Sequence, residues 1–428
     1  MGWDPYFNIR IGMKTLNLKI LIVLVFNLFN WNIYCQTTIR GTVYNQDHKT
    51  PVPSASVYIN GTTMHTLTDS EGHFVLENPK PPFQLVVSSL GYMPFNLTID
   101  SNTDRTLIVA LKEKEILLTD AIIESKVKSQ RTKYLQEFKN EFLGSDDWGK
   151  KAILVNDSDL VLNILSDTVR VDSNFQYVNT PEKGSFKHQY DLWQEERSME
   201  KIFSVLSVTA KAPIIVEVPL LGYTIYVQLD RFELRKREDL ESQTSYVGTY
   251  FFIPYPINKE KGIDYFEKNR EKAYYNSSMH FFRSLYTNSL KQNGYVTGRF
   301  DFDDSLGKSI QRFNDLFSFC QKSNSDQLQV KGAENKSFSV YYFKDAYGNP
   351  LDLMKIDSMS PKSYTDRNRW FKYIRVASKV STSSVTFLND CCTTHADGTI
   401  PEDGNIKTGG EFALRGVGSK LPSDYLSR

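Results

Sequence analysis

The tightest constraint on this chain is a rhythm near its start. Between Thr37 and Leu111 short apolar-alternating runs, IRGTVYN, ASVYING, HTLTDSEGHFVL, FQLVVSSLGY, FNLTID and RTLIVAL, are separated by turn residues. Runs spaced roughly eight to twelve residues apart predict a small antiparallel β-sandwich, which we place at residues 36–112. Gly41 and Gly61 fall at strand positions that suit a bulge or a close backbone approach. Asp69-Ser70-Glu71-Gly72 reads as a tight turn, with the Asp side chain capping the backbone and Gly accepting positive φ. It lacks the alternating oxygen ligands and distal Glu of a calcium loop. The excess of 27 Phe and 24 Tyr over 5 Trp extends a strand bias along all 428 residues, because aromatic side chains suit half-buried pleated surfaces.

The segments IRGTV at 39–43, PSASVYINGT at 53–62, TDSEGHF at 68–74 and LVVSSLGY at 85–92 resemble the carboxypeptidase regulatory-like domain. That domain is a transthyretin-like sandwich found beside zinc carboxypeptidase domains and at the N-termini of many outer-membrane receptors of Gram-negative bacteria. The resemblance implies an accessory module that folds, spaces or docks, with no catalytic residues of its own.

Ahead of the sandwich, Arg10, Lys14 and Lys19 precede an apolar run from Ile20 to Phe29 and then a more polar stretch ending at Cys35. This is the order of a cleavable secretory signal, expected at residues 1–35 and shorter than the ~20 apolar residues of a membrane span. Met13 opens a more ordinary signal than Met1 does. Cys35 admits lipidation, although Asn-Ile-Tyr before it lacks the small residues such processing uses. Lys plus Arg number 51 against 50 Asp plus Glu, so no overall charge draws the chain to nucleic acid or to an anionic membrane. Past the signal, Cys320, Cys391 and Cys392 remain; either Cys320 bridges one of the vicinal pair or all three stay reduced.

Residues 113–145 read as a connecting strand and linker followed by an amphipathic helix, Arg131 to Phe142, with Tyr134, Leu135, Phe138 and Phe142 on one side and Gly144 as its stop. Residues 146–428 read as a β-rich α+β region. In LGYTIYVQLDRFEL, Tyr223, Ile225, Val227 and Leu229 form a dry face opposite Thr224, Gln228 and Asp230, and YVGTYFFIPYP supplies the neighbouring strand. A helical hairpin is expected over 260–275 and 277–293, its second helix capped by Asn276 or Ser277 and ended by Gly294. Further strands are expected at 295–302, 337–343, 351–356, 369–376 and 384–388, with polar mobile loops at 322–336 and 393–411. FKNEFLG at 138–144, LGYTIYVQLDRF at 221–232, KNREKAYYNSSMHFFRSL at 268–285 and LPSDY at 421–425 resemble a group of exported bacterial proteins with the same domain at the front. That likeness adds an address and no reaction.

A complete catalytic constellation is not legible. None of the six histidines stands three residues before a Glu, as an attached zinc carboxypeptidase would need. Ser198-Met-Glu-Lys201, Tyr286-Thr-Asn288 and Lys407-Thr-Gly409 follow the order of penicillin-recognising enzymes, but the middle triplet falls inside an expected helix. Gly-Lys-Ser at 307–309 lacks the upstream glycine of a phosphate loop. The remaining candidate is the polar side of the second hairpin helix. There His280, Arg283 and Thr287 align opposite Phe281, Phe282 and Leu285, near Arg270 of the first helix, and read either as a dock for a carboxylate or phosphate or as a solvated or capping face that pairs with the sheet. We therefore expect a mainly β, non-enzymatic protein of the periplasm or outer-membrane periphery, touching the membrane only peripherally. No cofactor, metal or nucleic acid is expected; the partner would be an envelope protein or glycan. An outer-membrane receptor component and a serine hydrolase using Ser198 are the alternatives.

Overall fold

The computed structural model describes residues 38–100, 103–114, 130–170, 200–237, 240–256, 262–303, 308–313, 316–323, 327–333, 336–345, 349–353, 379–389, 391–399 and 406–426. The signal segment, Cys35 and Ser198 lie outside them. The described residues pair into five sheets.

Two sheets form the sandwich. One joins β1 (Thr38–Asn45), β4 (His73–Glu77) and β7 (Thr106–Leu111) in the order β4-β1-β7. The other joins β2 (Ser56–Ile59), β3 (His65–Leu67), β5 (Phe83–Ser88) and β6 (Phe95–Ile99) in the order β3-β2-β5-β6. The β1–β7 pair is parallel within otherwise antiparallel ladders. Ile39, Val43, Val57, Phe74, Leu85, Val87 and Val109 fill the space between the sheets. Gly41 is required by close approach: a Cβ there would sit 2.5 Å from the Leu107 carbonyl oxygen. The turn before β4 closes as the sequence indicates, Asp69 Oδ1 accepting the N–H groups of Glu71 at 2.9 Å and His73 at 2.8 Å. These hydrogen bonds, the one from His73 first, hold the Asp69 carboxyl below its usual pKa range.

The second core lies on a six-stranded sheet. β8 (Ile153–Leu154), β11 (Ile214–Val218), β12 (Tyr223–Arg237), β10 (Glu200–Ala210) and β9 (Leu160–Arg170) follow in that order, with β13 (Leu240–Pro254) along the other side of β12. Tyr223, Ile225, Val227 and Leu229 are buried, and then the inward phase moves to Phe232 and Leu234. A register shift between Leu229 and Arg231 makes this possible: one extra residue flips the pleat, so the apolar face stays on the core. Helix α1 (Arg131–Leu143) lays Phe138 and Phe142 against Phe232, and the chain turns at Gly144 with φ 100°.

Helices α2 (Ile263–Tyr274) and α3 (Ser278–Tyr286) lead to the third core. Ser277 caps α3 by accepting the His280 N–H at 3.0 Å. The helix ends at Tyr286 rather than near residue 293, because Thr287 Oγ1 donates back to the Arg283 carbonyl and Asn288 takes φ 54°. Phe281, Phe282 and Leu285 then enter a core shared with β14 (Tyr295–Asp303), a small sheet of β16 (Cys320–Lys322), β17 (Gln327–Lys331) and β20 (Cys391–His395), and β18 (Ser337–Lys344), β19 (Lys379–Phe387) and β21 (Ile406–Gly410), while β15 (Lys308–Phe313) pairs with β14.

Three expectations are corrected here. The supposed mobile loops at 322–336 and 393–411 contain β17, the end of β20 and β21, short polar strands that show alternation only in pairs such as Leu328 and Val330. Leu351–Leu353 is not a strand, while 354–378 lies outside the described residues. A bridge from Cys320 to Cys392 is excluded by register. Both pair with Val330 from opposite sides of β17, placing their Cα atoms about 9–10 Å apart, beyond the ~7 Å reach of a disulfide. Burial pushes the Cys320 thiol up to about 12.

Candidate functional site: the seam beneath the sandwich

The two sheets of the sandwich differ in what lies outside them. In β4 and β7 buried and exposed positions alternate, whereas β2 and β5 are buried at successive residues, Val57-Tyr58-Ile59 and Leu85-Val86-Val87-Ser88. Val57, Ile59, Leu85 and Val87 face the sandwich core, and Tyr58 and Val86 face outward onto Phe251 of β13. The sandwich therefore covers Tyr226, Gln228 and Phe251 on the face of β12 and β13 that reads as wet in the sequence, while Asp230 stays exposed.

Polar bonds fix the alignment. Tyr58 Oη and Thr249 Oγ1 are hydrogen-bonded at 2.7 Å, both buried, and Ser88 Oγ donates to Gln228 Oε1 at 3.1 Å. Burial drives the Tyr58 phenol far above its ordinary pKa. Phe251 is 4.6 Å from the Tyr58 ring, 5.1 Å from the Tyr226 ring and 5.1 Å from the His65 ring. The turn after β2 meets the edge of β13 through its backbone. Gly61 N–H donates to the Tyr250 carbonyl at 2.7 Å, Phe252 N–H donates to the Thr62 carbonyl at 2.9 Å, and Tyr250 N–H donates to Asn60 Oδ1 at 3.0 Å. Gly61 holds φ 77° here, a conformation that glycine adopts without strain.

Residues 420–426 close the seam from below. Ser423 N–H donates to the Gly61 carbonyl at 2.7 Å, and the Asp424 carboxylate accepts from Thr63 N–H at 3.2 Å and Thr63 Oγ1 at 2.6 Å. Lys420 Nζ donates to Tyr250 Oη at 3.2 Å while lying over that ring. Leu421 and Tyr425 are anchored in the second core. The LPSDY segment thus ties the sandwich to the rest of the chain.

Arg283 holds the same segment from the other side. Its Nε donates to the Asp397 carbonyl at 2.7 Å, Nη1 to the Tyr425 carbonyl at 2.9 Å and Nη2 to the Ser423 carbonyl at 2.8 Å. His280 is 3% exposed and hydrogen-bonded through Nδ1 to Tyr295 Oη at 3.0 Å, in a nest of Tyr274, Tyr275, Tyr295 and Tyr342. Burial lowers its pKa from 6.5 to about 4, helped by the charges of Arg283 and Arg415 and opposed by Asn293. Thr287 is exposed and bonds locally to Arg283 and Ser289. The polar side of α3 is thus largely interior, and the three residues do not converge on one surface. Arg283 and His280 lie one helical turn apart with separate surroundings.

Arg270 lines a cleft of about 310 Å³ with Thr63, Tyr223, Glu267, Asp424 and Tyr425. Its guanidinium stacks 4.1 Å from the Tyr223 ring centre, donates to the Leu221 carbonyl at 2.8 Å, and pairs with Glu267 at 3.0 Å. Burial raises Tyr223 to about 12, with Arg270 opposing the rise and Glu267 and Asp424 adding to it. Arg270 and LPSDY stand out in the sequence, but the partners of both come from far along the chain. Among the described residues no three His, Cys, Asp or Glu side chains gather to hold a metal, and no helix is long and apolar enough to cross a membrane.

A model of the CarboxypepD_reg-like domain family matches residues 39–123. The chain carries a CarboxypepD_reg-like domain. Over 150 residues it is 29% identical to the TonB-dependent receptor SusC of Bacteroides thetaiotaomicron, a stretch that takes in 33% of this chain and 14% of that protein. Among solved structures, a type II cohesin–X-dockerin complex from Acetivibrio cellulolyticus matches 26% of this chain and 79% of its own, at 19% identity and a TM-score of 0.17. A putative membrane-associated protein of unknown function from Bacteroides fragilis matches 51% of this chain and 97% of its own, at 12% identity and a TM-score of 0.16.

Proposed function

We propose that this chain is a non-catalytic, exported component of the Gram-negative cell envelope. Its CarboxypepD_reg-like domain serves as a fixed docking module, and the C-terminal region recognises a partner protein or envelope ligand. The observation that carries this reading is the seam: one sandwich sheet is committed to β12, β13 and the LPSDY segment, which fixes the direction in which the other sheet points. That other sheet leaves Val75 46% exposed and Ile108 76% exposed on its outer face. Exposed β-branched residues on a rigid sheet suit recognition better than a tethered, tumbling domain would. The guanidinium groups of Arg270 and Arg283 are engaged with backbone carbonyls, a use that builds architecture. The likeness to a TonB-dependent receptor supports a place at the outer membrane beside such a receptor. Fractionation of the producing cells followed by crosslinking of the tagged chain tests this. Recovery with the envelope, crosslinked to an outer-membrane protein, is expected; recovery from the cytosol contradicts it.

A further inference from the structure

The turn at the seam also carries an Asn-Gly pair. In Asn60–Gly61 no side chain on the second residue hinders attack on the asparagine carboxamide, so the pair is chemically labile wherever the chain is loose. In that reaction the Gly61 backbone nitrogen loses its proton and bonds to Cγ of Asn60. The Cγ–Nδ2 bond breaks, ammonia leaves, and water opens the resulting succinimide to aspartate or isoaspartate.

Every group in that step is occupied at the seam. The attacking nitrogen carries a hydrogen bond to the Tyr250 carbonyl at 2.7 Å, and the Gly61 carbonyl accepts from Ser423 N–H at 2.7 Å. The Asn60 carboxamide is held at both ends, Oδ1 by Tyr250 N–H at 3.0 Å and Nδ2 by Gln84 Oε1 at 2.7 Å. Three of these four bonds cross from the sandwich to β13 or to LPSDY, so the opening that frees Gly61 nitrogen is the undocking of the turn itself. We infer that Asn60 is a modification site gated by docking, hydrolysed by water only when the 60–63 turn lifts off β13 and LPSDY. The isoaspartate product inserts a carbon into the backbone where Gly61 meets Tyr250, which breaks the match of the two edges and makes undocking irreversible.

The chain contains its own reference. Asn293–Gly294 is also an Asn-Gly pair, but none of its bonds reaches the sandwich: Gly294 N–H donates to the Lys291 carbonyl at 3.2 Å, the Gly294 carbonyl accepts from Phe343 N–H at 2.8 Å, and Asn293 Nδ2 donates to Ser289 O at 3.1 Å and Oγ at 2.9 Å. Undocking of the sandwich leaves those bonds in place.

Peptide mapping by mass spectrometry, with enzymatic isoaspartate detection, reads both sites after incubation of the full chain in mildly alkaline buffer. In the unsubstituted chain Asn60 should react far more slowly than in a synthetic peptide of residues 57–64. Thr249→Val and Asp424→Ala, which loosen the seam at a buried and an exposed point, should each speed Asn60 about ten-fold or more without speeding Asn293, because local opening sets the rate. Peptide-like reaction of Asn60 in the intact chain, no acceleration in either variant, or equal acceleration of Asn60 and Asn293 would each overturn the inference.

Discussion

The two sheets of the sandwich belong to one small domain and yet read differently. β4 and β7 alternate, as strands do when one face meets a core and the other meets water. β2 and β5 run apolar through successive residues, as strands do when both faces are covered. Coverage comes from β12 and β13, well over a hundred residues downstream. The lesson is that an uninterrupted apolar strand inside a small sandwich marks the sheet that docks, while its alternating neighbour marks the sheet left for others.

Truncation at matched outward positions should separate the sheets most strongly. Tyr58→Ala removes a buried ring from the seam and should cost about 3–5 kcal/mol in urea unfolding. Ile108→Ala, equally outward but on the other sheet, should stay within about 0.5 kcal/mol. Acid should weaken the helix side of the seam more than the sandwich. The folded-state pKa of His280 lies at about 4 against an ordinary 6.5, so as pH falls through that window the unfolded chain binds the proton first and stability drops, by about 3 kcal/mol in all. Above 6.5 His280 should leave stability flat, and in His280→Phe the acid slope between 6.5 and 4 should shrink. Denaturant midpoints across that range measure both. Thr249→Val should cost about 1–3 kcal/mol, since it strands the buried Tyr58 hydroxyl, and its cost should largely vanish in a Tyr58→Phe background. The smallest stability effect is Ile108→Glu, near zero on unfolding, with lowered recovery of crosslinked envelope protein under the proposed function.

Local chemistry made much of the fold legible. The strands of the sandwich, the Asp69 turn, the apolar side of α1 and the β12–β13 pair all follow from spacing and alternation within a dozen residues. What escaped depends on distant partners. The outward burial of Tyr58 and Val86 needs Phe251, although the unbroken LVVS run carried a signal that was available in the sequence. The interior place of His280 needs Tyr295 and Tyr342 from strands further along the chain. The polar strands β17, β20 and β21 gain their regularity from pairing with one another or with β19, and single-strand propensity does not reveal that. At the candidate site, the residue types of Arg283 and LPSDY stood out; their meeting through the Ser423 and Tyr425 carbonyls did not.

Amide hydrogen exchange at Gly61 and Phe252 tests the central claim most directly, because these N–H groups donate across the seam. A fixed sandwich predicts that both exchange as slowly as the interior amides of β12. Exchange at the rate of a solvent-exposed turn, with β12 still protected, would show a tethered domain and contradict the account.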